Sequence, residues 1–279
     1  MSCNILREDL GGSGHLWANR KQAALTMIDV NMPTVIGLQE CSWTIREDIL
    51  NADTRRKAIG VSVKGEESGY TETSSNSIIY RSDIYEVIDQ GTFWFSDTPD
   101  KVSDVWTARY EPKPRTCTWA RFKVINTGRE FYHFNIHLHN GSAYNFLSDK
   151  YIGDSRTKSL KLLFERIAEE NTDGLPVIIT GDHNDGDDSS NASSDLGSDV
   201  EKAYRNTGYL SARWLAQDTD KGRTMNSFGE TATGVYDHIY VNSSCTPTRF
   251  YVDRNAYKGV KYVSDHYPLF CDMTLSYDN

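Results

Sequence analysis

The hydrophobic and polar positions fall into segments of two alternating kinds. Between Trp17 and Val30, the residues Trp17, Ala24, Leu25 and Ile28 share one face at helical spacing, and Met32-Pro33 ends the run, which predicts a helix. Thr34 to Gln39 follows as a short buried strand and Ser42 to Asn51 as a second helix. Val61 to Val63, Asn76 to Tyr80 and Tyr85 to Ile88 read as strands. The stretch 96–114, with Pro99, Pro112 and Pro114, reads as loop. Thr116 to Val124 and Glu130 to Leu138 alternate with period two, as an antiparallel pair joined through Asn126-Thr-Gly128. Ser155 to Glu170 carries the clearest helical stripe, Leu160, Leu163, Phe164 and Ile167, with Ser155 placed to cap it. Leu175 to Thr180 reads as a buried strand, 182–199 as a loop rich in Asp, Ser, Asn and Gly. Short strands follow at Tyr236 to Val241, Arg249 to Val252 and Pro268 to Thr274. The residues after that loop hold few helical patterns and cannot build a core of their own. The expectation is one domain over 1–279, an α/β (α+β) fold with strand-rich halves and helices outside.

Composition narrows this picture. Of 279 residues, 38% are AVILMFWYC, and the 20 glycines bring the apolar class to about 45%, enough to bury a core and too much for a disordered chain. No apolar run approaches the ~18 residues of a membrane helix, so no membrane span is expected. Thirty Lys and Arg against 39 Asp and Glu give a net charge of −9. That balance lacks the broad basic field of tight, sequence-indifferent nucleic-acid binders, though it leaves room for a local basic cleft. The five cysteines are widely spaced, without a CxxC, and read as small buried hydrophobes. Their odd number favours a reducing compartment. Arg7, Glu8 and Asp9 stand where a leader's apolar region would lie, while Met1-Ser-Cys-Asn-Ile already reads as a strand, as when a leader has been removed. A soluble protein is expected, cytoplasmic or exported, with no protein partner inferable.

Polar residues gather at the ends of these strands. Asn4 lies in the first, Glu40 closes Gly37-Leu-Gln-Glu, and Asn135-Ile-His137-Leu-His139 closes another. Gly181-Asp-His-Asn184 follows an apolar strand, Asp237 opens a late one, and Ser264-Asp265-His266 precedes the last. Strand ends are where α/β folds bind ligands. A set of carboxylates, amides and imidazoles without thiolates suits a hard divalent cation. Taken singly, each residue has a plainer reading: Glu40 as a helix-capping acid, Asn184 as an Asx-turn residue, Asp237 as a turn former, His266 as a packed histidine. His137 and His139 also share one side of a strand, and with His183 and His266 they offer an alternative zinc site.

Taken together the motifs resemble the endonuclease/exonuclease/phosphatase superfamily, with the deoxyribonuclease I-like fold, over nearly the whole length. They are Met-Ser-Cys-Asn4-Ile, Trp17 with Arg20-Lys21, Pro33-Thr-Val-Ile-Gly-Leu-Gln-Glu40, Asn76-Ser-Ile-Ile-Tyr80, Asn135-Ile-His137, Arg156, Gly181-Asp-His-Asn184, Asp237-His-Ile-Tyr and Ser264-Asp-His266. The blocks Gly91-Thr-Phe-Trp-Phe-Ser-Asp-Thr-Pro99 and Arg115-Thr-Cys-Thr-Trp-Ala-Arg-Phe122 resemble a bacterial subgroup related to carbon-catabolite-repressor-type phosphohydrolases. The resemblance implies a four-layer α/β sandwich of two mostly antiparallel sheets and a metal-dependent phosphoric ester hydrolase. In it, Glu40 assisted by Asn4 holds Mg²⁺ or Mn²⁺, with Asp265 in the same metal region. Asp237 fixes His266, which acts on the phosphate. Asp182 orients the attacking water, and Asn184 and His137 donate to phosphoryl oxygens. Three positions depart from the family's habit: His139 and His183 stand where Asp and Phe are common, and Ser74 stands where a Glu often supports the catalytic His, with Glu72 two residues away.

Charge bears on the substrate. Arg109, Lys113, Arg115 and Arg121, with Trp106 and Trp119, surround one block and suffice for one or two phosphates and a ring. Arg115, Trp119, His139 and His183 are the expected substrate contacts. The acidic 182–199 loop beside the catalytic motif repels a polyanion. The favoured substrate is therefore a small phosphorylated molecule or a single-stranded nucleic-acid end. The alternatives are a nuclease acting on duplex DNA and a non-catalytic binding module on the same fold.

Overall fold

The computed structural model describes residues 1–70, 73–106, 113–140, 149–187, 198–220, 222–230 and 234–277. The chain runs β1 (Ser2–Asn4), α1 (Gly12–His15), α2 (Trp17–Asn31), β2 (Val35–Gln39), α3 (Trp43–Ala52), β3 (Arg56–Ile59), β4 (Ile78–Arg81), β5 (Tyr85–Trp94), β6 (Thr116–Val124) and β7 (Glu130–His137). It continues through α4 (Asp149–Glu170), β8 (Val177–Asp187), α5 (Asp199–Asn206), β9 (Leu210–Ser211), α6 (Ala212–Leu215), β10 (Asp218–Thr219), β11 (Val235–Val241), β12 (Cys245–Val252) and β13 (Leu269–Leu275).

Two sheets result, in the orders β10-β12-β13-β1-β2-β4-β3 and β5-β6-β7-β8-β11-β9. Neighbours are antiparallel except for β1–β2, β10–β12 and β7–β8. Helices α2 and α3 cover the outer face of the first sheet through Trp17, Ala24, Met27, Ile28, Ile45 and Ile49. Helix α4 covers the second, packing Leu160, Leu163 and Ile167 on Tyr132, Phe134 and Ile136. Between the sheets, Ile78, Tyr80, Phe122 and Phe131 form one apolar block and Ile239, Phe250 and Leu269 belong to another. The architecture is a four-layer α/β sandwich of the deoxyribonuclease I-like kind.

Period-two alternation decides what each strand offers to which side. On β7, Tyr132, Phe134 and Ile136 join the helix-covered core. His133, Asn135 and His137 consequently point between the sheets. On β8, Ile179 turns outward and Thr180 and Asp182 inward. The inward polar residues satisfy one another. Asn135 Nδ2 donates to the carbonyls of Leu38 and Ser77, and its Oδ1 accepts from Gln39 Nε2 (2.6 Å) and the Thr180 hydroxyl (3.0 Å). Gly37 makes this approach of the sheets possible, since a Cβ there would stand 2.6 Å from Asn135 Oδ1.

Several elements differ from the sequence expectation. The strand expected at 61–63 is instead β3 at Arg56–Ile59, and Ser62 forms only an isolated bridge to Ser75. β5 runs on to Trp94. Helix α4 begins at Asp149, so Ser155 lies inside it rather than at its cap. β8 continues to Asp187 and takes Asp182 and Asn184 into the sheet. Helix α5 was not expected. Ser198 caps it by accepting from Glu201 N–H, while only Val200, Glu201 and Tyr204 are buried. All five cysteines are free, Cys271 being the only one not fully buried. No helix among the described residues is long and apolar enough to cross a membrane.

Candidate active site

The polar ends of β1, β2, β7 and β8, the start of β11 and the segment before β13 converge at one end of the sandwich. Asn4 stands at the end of β1. Leu6 N–H donates to its Oδ1, which turns Nδ2 toward Glu40 Oε1 (3.1 Å) and Asp182 Oδ2 (3.0 Å). One amide thus braces two carboxylates. Glu40 follows β2 with φ 55°, and Asn184 has φ 50°, both left-handed conformations that non-glycine residues adopt at a cost. Asp182 Oδ1 accepts the backbone N–H of Asn184 at 2.9 Å, while Asn184 Nδ2 spends one hydrogen on Leu138 O.

Around Asp182 Oδ2 stand two imidazoles, His137 Nε2 at 3.6 Å and His266 Nε2 at 3.8 Å. His266 Nδ1 meets Asp237 Oδ2 at 2.8 Å. Ligand atoms of Asp182, Asp237 and His266 lie within 4.8 Å of one another, all three residues buried. Burial, the nearby Asp237 charge adding to it, raises Asp182 to about 6, although His266 pulls the other way. For His266, burial alone favours the neutral ring, but the Asp237 and Asp182 carboxylates outweigh it and lift its pKa well above the ordinary value. His137 moves the opposite way: burial, then Arg115 and His266, hold it well below that value. The site therefore keeps one imidazole charged and another neutral at pH 7.

Other residues hold this array in place. Arg20 is 1% exposed and donates to the carbonyls of His15, Ile5, Leu6 and Val263, tying the chain after Asn4 to the chain before Asp265 and His266. Burial lowers its pKa to about 10. Ser264 Oγ donates to Asn4 O at 2.6 Å. The buried Thr224 hydroxyl accepts from the N–H groups of Tyr236 and Asp237. Arg156 donates to Asn184 O. The sequence carries a signal for Arg20, a cation three residues from Trp17 on an otherwise apolar helix face. Ser264 stands in the Ser-Asp-His266 motif, and Thr224 carries no signal.

The structure brings together Asn4, Glu40, His137, Asp182, Asn184, Asp237 and His266. Asp265 adjoins them, its Oδ1 3.1 Å from the Ser264 hydroxyl, whose hydrogen goes to Asn4 O. Arg115 reaches the same region: its charge senses Glu40 and Asp182, its Nη2 donates to Asn140 Oδ1 at 2.7 Å, and its buried Nε has no partner among the described residues. His139 lies near Arg115, Arg156 and Lys113, and burial with these cations lowers it to about 4. Its buried Nδ1 has no partner among the described residues, so no hydrogen bond from that atom supports His137.

Two expected substrate contacts belong elsewhere, for one physical reason. His183 follows inward-facing Asp182 and therefore faces outward. It is 0% exposed, bonded to Gly181 O and the Tyr204 hydroxyl beneath the α4–α5 layer. Trp119 pairs with outward-facing Phe134 and stacks on it, 8% exposed. Neither opens to the site, and the four-histidine zinc arrangement does not form. Arg121 is also turned away, paired with Glu130 and Asp173, and Trp106 donates to Asp97. Arg109, Glu72 and 188–197 lie outside the described residues.

The same architecture is found in solved proteins. A mannosyl-6-phosphatase of Bacteroides thetaiotaomicron superposes with a TM-score of 0.81, at 26% identity, over 98% of each chain. An endonuclease/exonuclease/phosphatase family protein of the same organism gives 0.82, also at 26% identity, over 99% of this chain and 97% of that one. The chain belongs to the endonuclease/exonuclease/phosphatase superfamily. No family model matches it. Among curated proteins, the uncharacterised protein L388 of Acanthamoeba polyphaga mimivirus is 27% identical over 183 residues, 63% of this chain and 62% of that protein, less than two thirds of its length.

Proposed function

We propose that the protein is a divalent-metal-dependent phosphoesterase that hydrolyses small phosphorylated molecules by in-line attack of an activated water. The observation that carries this reading is the array Asp237–His266–Asp182–Asn4–Glu40, in which carboxylates, a charged imidazole and a neutral one surround one point at the strand ends.

The donor set fits a hard cation. It is built of carboxylate oxygens. Asp182 is raised to about 6 by burial and its neighbour Asp237, and the buried Asp237 Oδ1 has no partner among the described residues. Both mark negative charge that the protein does not fully compensate. Glu40, braced by Asn4, with Asp265 beside it, would hold Mg²⁺ or Mn²⁺, which supplies charge neutralisation to phosphoryl oxygens.

The remaining roles belong to the chain. Asp182, ionised above about pH 6, orients water and accepts its proton. His266, kept charged by Asp237, donates from Nε2 to the phosphate or its leaving oxygen. Neutral His137 and the second amide hydrogen of Asn184 are donors to the charge that grows on the phosphoryl oxygens. Arg115 adds a cation at the mouth, and Lys113 lies close enough to depress His139. That suits one phosphate better than a polyanion track, as does the net charge of −9. The similarity to a mannosyl-6-phosphatase places sugar phosphates first among the substrates to try.

The test is phosphate or p-nitrophenol release from sugar phosphates, nucleotides and bis-p-nitrophenyl phosphate, beside nicking of supercoiled plasmid, with Mg²⁺ and with EDTA. EDTA-sensitive turnover of a small ester is expected. Fast plasmid nicking without small-ester turnover reverses the substrate ranking. Binding without turnover of anything restores the non-catalytic alternative.

A further inference from the structure

The segment 226–230, which follows the buried Thr224 and precedes β11, is held in an uncommon shape. Ser227 (φ 43°) and Phe228 (φ 55°) are consecutive left-handed residues, and neither is glycine. Asn226 and Ser227 both donate their backbone N–H to Asp265 O, at 2.8 and 3.0 Å, and Asn226 Oδ1 accepts from Phe228 N–H at 2.8 Å. Strain of this kind persists where surrounding bonds over-determine it, and it gathers at functional sites. Here it fixes the Phe228 ring, which stacks on His15 with centroids 3.8 Å and planes 11° apart.

Two hollows flank this segment and share Glu230 on their walls. The first, of about 340 Å³, is lined by Asp265 and by the stacked pair Phe228 and His15. The second, of about 470 Å³, is lined by Tyr262, Tyr267 and Arg254. Tyr267 directly follows His266, and Met225, on the same wall, forms a β-bridge with His266. Each hollow has the size of a small-ligand site, and together they make a path that starts beside Asp265.

Charge decides what the path can take. In the second hollow Arg254 is committed to Asp220 through Nη1 and lies 5.5 Å from the centre of the Tyr267 ring. Arg223 and Glu230 are both exposed and opposite in sign, so the hollow is near neutral. Glu230 stands where the two hollows meet. A nucleic-acid strand brings another phosphate with every unit and would set one against this carboxylate, whereas a neutral hydroxylated ring would not. Glu230 accepts hydrogen bonds from hydroxyls and Arg254 donates to them. The rings of Phe228, Tyr262 and Tyr267, the last two 6.2 Å apart and tilted by 53°, offer apolar surface to the C–H faces of a pyranose. We propose that the two hollows are glycosyl subsites for a phosphorylated oligosaccharide. The sugar that bears the phosphate occupies the first and the sugar attached to it occupies the second. This rests on the phosphoesterase reading, which places the phosphate at the Asp182–His266 array.

The test compares hexose 6-phosphates of manno, gluco and galacto configuration with disaccharides that carry the same phosphate on the non-reducing unit. The best disaccharide ester is expected to exceed its monosaccharide by about tenfold or more in kcat/KM, mainly through KM, and Tyr262→Ala should remove most of that ratio. Titration with the unphosphorylated disaccharides, followed by NMR of the Phe228, Tyr262 and Tyr267 ring resonances, needs no turnover. Saturable shifts of all three rings at concentrations on the order of millimolar are expected, and they support the subsites even when no ester is hydrolysed, the result that sinks the phosphoesterase reading alone. Equal kcat/KM for the mono- and disaccharide esters, or ring resonances that do not move, overturns the proposal. So does a hexose bisphosphate or a dinucleotide that outcompetes every disaccharide ester.

Discussion

Replacing Asp237 by Asn removes the charge behind His266 while keeping the shape of the side chain. The two groups meet at 2.8 Å, Asp237 1% and His266 6% exposed. At an effective dielectric near 20, unit charges that close attract by about 6 kcal/mol. Much of that offsets the cost of burying them, so truncating one partner is expected to cost about 2–4 kcal/mol. If that stabilisation is realised in the transition state, kcat falls roughly 30- to 1,000-fold. The imidazole also loses its reason to be charged at neutral pH, so its titration, followed by NMR of the ring protons, should move down. His266→Ala should cost a similar factor, and the double variant little more, because the two residues act as a unit. Steady-state kinetics of the four proteins on one small ester decides this. If the two losses multiply in the double variant, Asp237 and His266 do not work together. A ring titration unchanged by Asp237→Asn would refute the electrostatic argument independently.

Glu40→Gln keeps shape but removes a charge from the hard-cation donors, so activity should fall at least ~100-fold with a rise in the Mg²⁺ needed, and near-normal turnover at low Mg²⁺ contradicts the assignment. Arg20→Lys deprives several of the carbonyls of Ile5, Leu6, Val263 and His15 of their donor. A loss of about 3 kcal/mol in urea denaturation is expected, and an unchanged midpoint would show that the fork is dispensable. His133 and His238 are both lowered by burial to about 3, against a free value near 6.5, so the unfolded chain takes up protons first as pH falls. Their contribution is complete above about pH 6.5 and declines toward pH 3, by about 2–3 kcal/mol each at pH 4.5; equal urea midpoints at pH 7 and 4.5 would contradict it. Activity should fall on the acid side as pH drops through about 6, where Asp182 takes a proton, and hold on the alkaline side beyond ordinary histidine titration because His266 stays charged. A pH–rate profile with full activity at pH 5 refutes this.

The alternation that placed the strands in the sequence also contained the correction to the site. In Gly181-Asp-His-Asn184, a strand cannot turn Asp182 and His183 to the same side, and once Asp182 is assigned to the cleft His183 belongs under the helices. The same parity sends Trp119 to Phe134 and away from Thr118. What hid this was the expectation that β8 stops at Thr180, which treats the motif as loop, free to point anywhere. Helix α5 escaped because its few buried positions give no long stripe, and β3 because Arg56 and Lys57 disguise an edge strand. The buried role of Arg20 depends on carbonyls that include Val263, 243 residues away, and no local pattern encodes such a partner. Asn4, Glu40, Asp182, Asp237 and His266 were legible because each sits where an apolar strand begins or ends and has no packing reason to be polar.

The strand order has a consequence for how the molecule comes into being on the ribosome. β5 to β9 and β11, all six strands of the second sheet, precede residue 242. That sheet, with α4 against it, has every partner available before β12 and β13 are made. The first sheet does not: β13 lies between β12 and β1. Until it emerges, β10-β12 and β1-β2-β4-β3 are separate fragments, each exposing an open edge to neighbouring chains. Asp265 and His266 arrive just ahead of this strand, so closing the sheet and completing the proposed active-site array are one event. These open edges persist until β13 emerges, and that is the interval in which chaperone protection matters most.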